Sequence, residues 1–224
     1  MSHVHRRLTT TSLLTATQDL ARRDPDLRAI VRQFGPPPLW ARRPGFPTLV
    51  RIILEQQVSL TSAQSMFNRL RRHAGAVTPA AVGALGVRGL RAIGFTSQKA
   101  EYCHGLAEAI RGGELDLAAI SRSSDEVGMS KLLAVRGLGP WSVDIYYLMA
   151  LRRPDVWPRG DLALATAVHR VKRLRARPDH DKLARMAEHW APWRSVAARI
   201  LWHHYLGARL RQGTATVPAE REDP

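Results

Sequence analysis

The chain has 224 residues and a formal charge of +15, with 34 Lys and Arg against 19 Asp and Glu, which excludes a large multidomain machine and an acidic solvating protein. Apolar residues make up 45% and charged residues 24%, enough to bury a sizeable core, so global disorder is excluded too. A positive excess of this size attracts polyanions, and nucleic acid is the commonest of these. No stretch approaches the roughly 18–20 apolar residues of a spanning helix. The opening MSHVHRRLTTTSLLTATQ breaks its apolar run with Thr and Gln before a signal-peptide core can form, so a cytoplasmic protein without membrane contact is expected. Cys103 is the single cysteine, which rules out an intramolecular disulfide, a cysteine-held zinc and an iron–sulfur cluster.

Residues 1–10 and 212–224 are polar and are expected to fray. Between them Ala, Leu and Arg dominate, β-branched alternation is scarce, and Gly or Pro recurs at helix spacing. The pattern predicts helices over 12–22, 25–33, 47–57, 61–73, 79–84, 87–92, 97–111, 116–121, 124–134, 141–151, 162–174, 180–189 and 193–207. Thr61 and Ser97 suit N-caps, Pro25 and Pro79 a first helical position, and Gly75 and Gly112 a left-handed exit. No repeat of fixed period is visible and nothing requires a sheet, so the expected fold is all-α.

Two stretches carry chemistry. Leu132-Leu133-Ala134-Val135-Arg136-Gly137-Leu138-Gly139-Pro140-Trp141-Ser142 joins two helices through a Gly-x-Gly turn. Positive φ at Gly137 and Gly139 would let backbone N–H groups and the next helix N-terminus converge on a phosphate; the same residues also suit a tight turn with no ligand. Gly137-x-Gly139-x-x-Ser142, with Asp161 placed 22 residues after Gly139, imitates a dinucleotide fingerprint, but the required strands are missing. The second stretch, Trp157-Pro158-Arg159-Gly160-Asp161-Leu162-Ala163-Leu164, delivers an aspartate to a helix start. Asp161 reads most simply as a cap, and the same residue can also serve as a fixed negative charge able to stabilise an oxocarbenium ion during glycosidic cleavage.

Together with Ile53-Leu54-Glu55-Gln56-Gln57-Val58-Ser59 and Pro192-Trp193-Arg194-Ser195 through Trp202, these pieces resemble, over about residues 46–206, the helix-hairpin-helix Gly/Pro-Asp (HhH-GPD) DNA glycosylases, in particular the AlkA-like 3-methyladenine DNA glycosylase II branch in a short form. The resemblance implies a two-lobed all-α fold with the active site in an interlobe cleft. One lobe would be 45–155, containing the hairpin at about 124–151, and the other 1–44 plus 156–224. It implies Asp161 as the catalytic aspartate, Trp141, Trp202 and Ile145 around the extruded base, and Gln57, with Gln56 beside it, as the side chains entering the vacated gap. Arg136, Gly137, Leu138 and Gly139 would grip phosphate, and the carbonyls of Leu133, Val135 and Leu138 would offer a site for Na+ or K+, with no cofactor needed for catalysis.

Ile145 stands where the long bacterial form has an aromatic, and with only about 45 residues before the matching region the long form's extra N-terminal α/β segment is not expected. Strand-nicking relatives use a lysine to form a Schiff base. Here Trp141 occupies the matching position and no lysine lies between Lys131 and Lys172. The implied activity is monofunctional hydrolysis of alkylated bases in double-stranded DNA, such as 3-methyladenine and 7-methylguanine, by a monomer associated with the nucleoid. A non-catalytic helix-hairpin-helix DNA-binding protein is the alternative, and a nicotinamide-dependent oxidoreductase a distant third. His3-x-His5 and His203-His204 show no zinc-ligand pattern.

Overall fold

A computed structural model describes residues 7–211, with side chains through 208. Twelve α-helices and one π-helical turn make up its regular structure, and there is no strand among the described residues. In chain order the helices are α1 Thr10–Arg23, α2 Pro25–Phe34, α3 Phe46–Glu55, α4 Leu60–Ala74, α5 Pro79–Ala92, α6 Ser97–Arg111, α7 Leu117–Arg122, α8 Asp125–Leu133, α9 Pro140–Ile145, α10 Leu162–Val171, α11 His180–Glu188 and α12 Arg194–Arg211. The π-helical turn, Tyr146–Ala150, follows α9 directly.

Most starts and stops follow the expected chemistry, and the exceptions have local causes. Gly86 takes φ 62 inside α5, so the two helices expected at 79–84 and 87–92 form one kinked run. Ser59 caps α4 and Thr96 caps α6, in place of Thr61 and Ser97, because an N-cap needs an extended backbone and Ser59 and Thr96 provide it. Gly75 exits left-handed at φ 71 as expected, whereas Gly112 stays right-handed and Gly113 makes the turn at φ 79. Residues 7–10, grouped above with a fraying end, are held: Leu8 is buried and donates its N–H to the Arg152 carbonyl, and Thr9 forms a capping box with Ser12. The rest of that N-terminal expectation, and 212–224, lie outside the described residues, as does the His3-x-His5 pair.

The chain divides into two compact units, Arg42–Tyr146 and the combination of residues up to Ala41 with those from Tyr147. The contiguous unit holds α3 to α9. Its central helix α3 is apolar almost all round, with Leu49, Val50, Ile52, Ile53 and Leu54 fully buried against α4, α6 and α9, as expected of a helix at the middle of a core. Each such side chain contributes roughly 1.5–3 kcal/mol when fully buried.

The discontinuous unit packs α12 against α1, α2 and α10. Leu13, Leu20, Leu27, Leu164, Val168, Val196 and Leu201 form its interior. Arg199 is also fully buried there, and burial pushes its guanidinium down to about 9. Its nitrogens donate to the carbonyls of Leu39, Ser195 and Leu148 at 2.8, 3.0 and 2.8 Å, tying three chain segments to one side chain. A second tie joins Asp24, the N-cap of α2, to the Lys172 ammonium at 2.8 Å and the Trp190 indole N–H at 2.9 Å. No described helix is long and apolar enough to cross a membrane.

Candidate active site

In the contiguous unit, Ser124 caps α8, which ends at Leu133. Amide–carbonyl bonds from Val135 to Leu132 and from Leu138 to Val135 then fold the chain back, and buried Leu138 anchors the turn. Gly137 takes φ 96, and a Cβ there would run into the Tyr102 ring, so glycine is required for two separate reasons. Gly139 corrects the expectation of positive φ. It sits at φ −78 with open space around its Cβ position, and no side chain caps the start of α9 that follows. Arg136 stands at the tip with its side chain 81% exposed, 3.3 Å from Glu101 and over the Tyr102 ring. A surface ion pair of this kind is worth little, so the guanidinium can exchange partners easily.

The two adjacent glutamines separate in role. The Gln56 amide donates to the Gly137 carbonyl at 2.8 Å and the Ser142 hydroxyl at 2.9 Å, so it braces the hairpin and is not available to insert elsewhere. Gln57 is exposed and holds φ 58 in the turn between α3 and α4, a conformation that costs a side-chain-bearing residue about 1–2 kcal/mol. Lys99, which sequence reasoning did not single out, steadies this corner: its buried ammonium donates to the Leu54 carbonyl at 2.6 Å, and burial lowers its pKa. Trp141 is half-buried at the second position of α9, and Ile145 is buried one turn later on the same helix face.

In the discontinuous unit the 154–161 loop is clamped to the start of α12. Ser195 Oγ accepts from Val156 N–H at 3.0 Å and donates to the Val156 carbonyl at 3.1 Å, and Ser195 N–H reaches the Pro154 carbonyl. Arg194 grips Asp155 with Nε and Nη2 at 2.8 and 2.9 Å, while Asp155 accepts the Arg194 amide. The hydrogen bond to Asp155 raises the Arg194 pKa. Trp157 on this loop stacks obliquely on Trp190 at 5.3 Å.

The loop ends at Asp161, which is 8% exposed and caps α10. Its Oδ1 accepts the Leu164 amide at 2.8 Å and the Trp202 indole N–H at 3.3 Å. Two donors on one oxygen fix the carboxylate's orientation. Trp202, itself 8% exposed, is therefore a hydrogen-bond partner of the aspartate as well as an aromatic surface. A capped helix start, a clamped loop and an indole donor together preorganise one negative charge, which is the arrangement needed to stabilise a cation developing beside it.

Residues 50–192 match the profile of the HhH-GPD superfamily base excision DNA repair proteins. The chain belongs to this family. YfjP of Bacillus subtilis, assigned by name to the DNA-3-methyladenine glycosylases, is 29% identical over 79% of this chain, which spans 64% of YfjP's length. DNA-3-methyladenine glycosylase 1 of Schizosaccharomyces pombe is 27% identical, with 86% of this chain and 87% of that protein aligned. Among solved structures, the Schizosaccharomyces pombe 3-methyladenine DNA glycosylase in complex with abasic DNA superposes with a TM-score of 0.74 at 26% identity, covering 84% of this chain and 95% of that one.

Within this HhH-GPD chain, the residues the sequence left unassigned are the ones that hold others in place. Lys99 fastens the end of α3. Arg194 and Ser195 fasten the aspartate loop. The only signal for the latter pair was their place in the Pro192-Trp193-Arg194-Ser195 segment that carried the family resemblance.

Proposed function

We propose that this protein is a monofunctional DNA glycosylase of base excision repair that hydrolyses the N-glycosidic bond of alkylated purines and leaves an abasic site. The observation that carries the reading is Asp161, set at the N-cap of α10 with the Leu164 amide and the Trp202 indole on one oxygen, in a chain of the HhH-GPD family. An N-alkylated purine carries positive charge and leaves as a neutral base, so the bond breaks without strong acid catalysis. The work left to the protein is to stabilise the sugar cation and to extrude the base. Asp161 does the first, and orients the water whose oxygen bonds to the anomeric carbon while its proton goes to solvent or to the carboxylate. Unstacking costs a few kcal/mol, less for a damaged base. Stacking of the electron-poor ring on the Trp202 indole offsets it, with Gln57 filling the gap.

Arg136 and the backbone N–H groups of Gly137 and Gly139 hold a phosphate of the duplex, which makes affinity strongly salt-dependent. The Val135 carbonyl accepts the Leu138 amide and keeps a second lone pair; with the carbonyls of Leu133 and Leu138 it can hold Na+ or K+ and rigidify the turn. No lysine lies between Lys131 and Lys172, so no amine is supplied for a Schiff base from the hairpin helix and the strand is left intact. The protein acts as a cytoplasmic, nucleoid-associated monomer.

The test is release of free base from methylated duplex DNA by wild type and Asp161→Asn, with strand breaks scored before and after hot alkali. Release of methylpurine by wild type alone, with breaks only after alkali and DNA binding retained by the mutant, is the expected result. Binding without release by either protein would make this a DNA-binding module, and breaks without alkali would overturn the monofunctional reading.

A further inference from the structure

A groove of about 330 Å³ lies beside Asp161 in the discontinuous unit, with walls from two stretches far apart in sequence: Gly160 to Leu162 at the start of α10, and Arg177 to His180 at the start of α11. The sequence explains how they meet. α10 carries the chain roughly 15 Å at 1.5 Å per residue away from Asp161, and the 172–179 segment then turns back, with Arg173 at φ 50 making the reversal. That segment is strongly basic, and Arg173, Arg175 and Arg177 are all exposed.

Three features of the groove point to one kind of occupant. First, Arg177 and His180 are exposed and, among the described residues, neither side chain makes an ion pair or hydrogen bond. The two carboxylates of the groove each have one oxygen turned elsewhere, Asp179 Oδ1 onto the Lys182 amide and Asp161 Oδ1 onto Leu164 and Trp202. Second, Leu162 on the rim is 68% exposed, the most of any large apolar side chain described. Third, Ala165, Pro178 and Leu183 give the floor a buried apolar surface. An unpaired guanidinium and an imidazole on one wall, with an exposed leucine on the other, match an alternation of phosphate and sugar. Cations are needed there for a further reason, since a phosphate brought close to the Asp161 carboxylate is repelled unless positive charge stands between them.

We propose that this groove is a backbone subsite for DNA, taking one phosphodiester adjacent to the damaged nucleotide, with Arg177 and His180 donating to its oxygens and Leu162 packing on the neighbouring deoxyribose. The proposal rests on the glycosylase reading of Asp161, which supplies the nucleotide the phosphodiester is adjacent to. The subsite would tether the strand next to the reacting sugar. Its loss weakens binding without touching the chemical step.

The test is fluorescence anisotropy of a duplex bearing a tetrahydrofuran abasic analogue, titrated with wild type, Arg177→Ala, His180→Ala and Leu162→Ser at several salt concentrations. Base release from methylated DNA at saturating enzyme is measured alongside. Arg177→Ala is expected to bind about fivefold to tenfold more weakly near 0.1 M salt and to lower the slope of log K against log salt by about 0.9, the signature of one lost phosphate contact. Its melting temperature and its single-turnover release rate should stay at the wild-type values. One neutral methylphosphonate linkage beside the analogue should abolish the difference between wild type and Arg177→Ala. Unchanged affinity and slope in both Arg177→Ala and His180→Ala, or a slower release rate with unchanged affinity, overturns the subsite. Wild type that binds the duplex but releases no base removes the glycosylase reading while leaving the binding comparison decisive for the groove; failure to bind duplex DNA removes both.

Discussion

The indole of Trp202 puts two chemistries on one side chain, and single substitutions can separate them. Trp202→Phe keeps an aromatic face and deletes the donor to Asp161. A hydrogen bond to a charged group is worth about 1.5–3 kcal/mol, so single-turnover base release should slow by roughly tenfold or more while affinity for abasic DNA stays near wild type. Trp202→Ala loses the stacking surface as well, and binding should then fall too. The hairpin glycines divide in a similar way. Gly137→Ala forces a left-handed backbone on alanine, at about 1–2 kcal/mol, and pushes Tyr102 aside. Urea unfolding should show that loss, and a further Tyr102→Ala change should recover the part due to the clash. Gly139→Ala, at ordinary φ and with open space, should leave stability within about 0.5 kcal/mol and reduce DNA affinity if phosphate approaches there.

At the scale of elements, the loop carrying Asp161 depends on α12 more than on itself. Ser195→Ala leaves the buried Val156 amide and carbonyl without the hydroxyl that serves both. An unsatisfied buried group costs about 1–3 kcal/mol, so the melting temperature should drop, and release should slow more than DNA binding weakens.

Which elements could be read from the sequence follows from where their causes lie. Helices bounded by a proline at the first position or a left-handed glycine were placed closely, because those signals act within a few residues: α2 starts at Pro25 and α4 exits at Gly75. The expected helix at 141–151 is instead α9 followed by a π-helical turn, a change of hydrogen-bond register that periodicity does not report. For the candidate site, the sequence named Asp161, Trp141 and Trp202 through the family resemblance. It could not show that the Trp202 nitrogen faces Asp161, or that Gln56 turns inward while Gln57 turns outward, because tertiary partners distant in sequence decide those orientations: Asp161 for Trp202, Gly137 and Ser142 for Gln56.

For the molecule as a whole, the pairing of Asp24 with Lys172 sets how stability varies with pH. Burial pushes the Asp24 carboxyl up, but hydrogen bonds from Lys172, Trp190 and the Leu27 amide outweigh it and hold it below the ordinary value of 3.8. Burial likewise pulls Lys172 down, and its bonds to Asp24 and Asp26 outweigh that, leaving it above 10.5. A depressed carboxyl contributes stability that is present above 3.8 and is lost as pH falls through the lower folded value; a raised ammonium contributes stability that is present below 10.5 and is lost as pH rises through the higher one. The pair therefore supports a plateau between those limits. Asp24→Asn should lower the plateau and flatten its acid shoulder, as read by thermal melts across pH.

The discontinuous unit also bears on the order in which a newly made chain becomes competent. Synthesis delivers the hairpin glycines and Asp161 well before α12, which carries Arg194, Ser195, Arg199 and Trp202. A nascent chain stopped at residue 190 would present the hairpin turn yet hold Asp161 on an unclamped loop, with no indole beside it and no Arg199 to gather the segments around Leu39 and Leu148. On the proposed function, the capacity to grip DNA precedes the capacity to cut a base from it, and an unfinished chain cannot generate abasic sites. On that reading α12, the last of the described helices to emerge, is the one that arms the carboxylate.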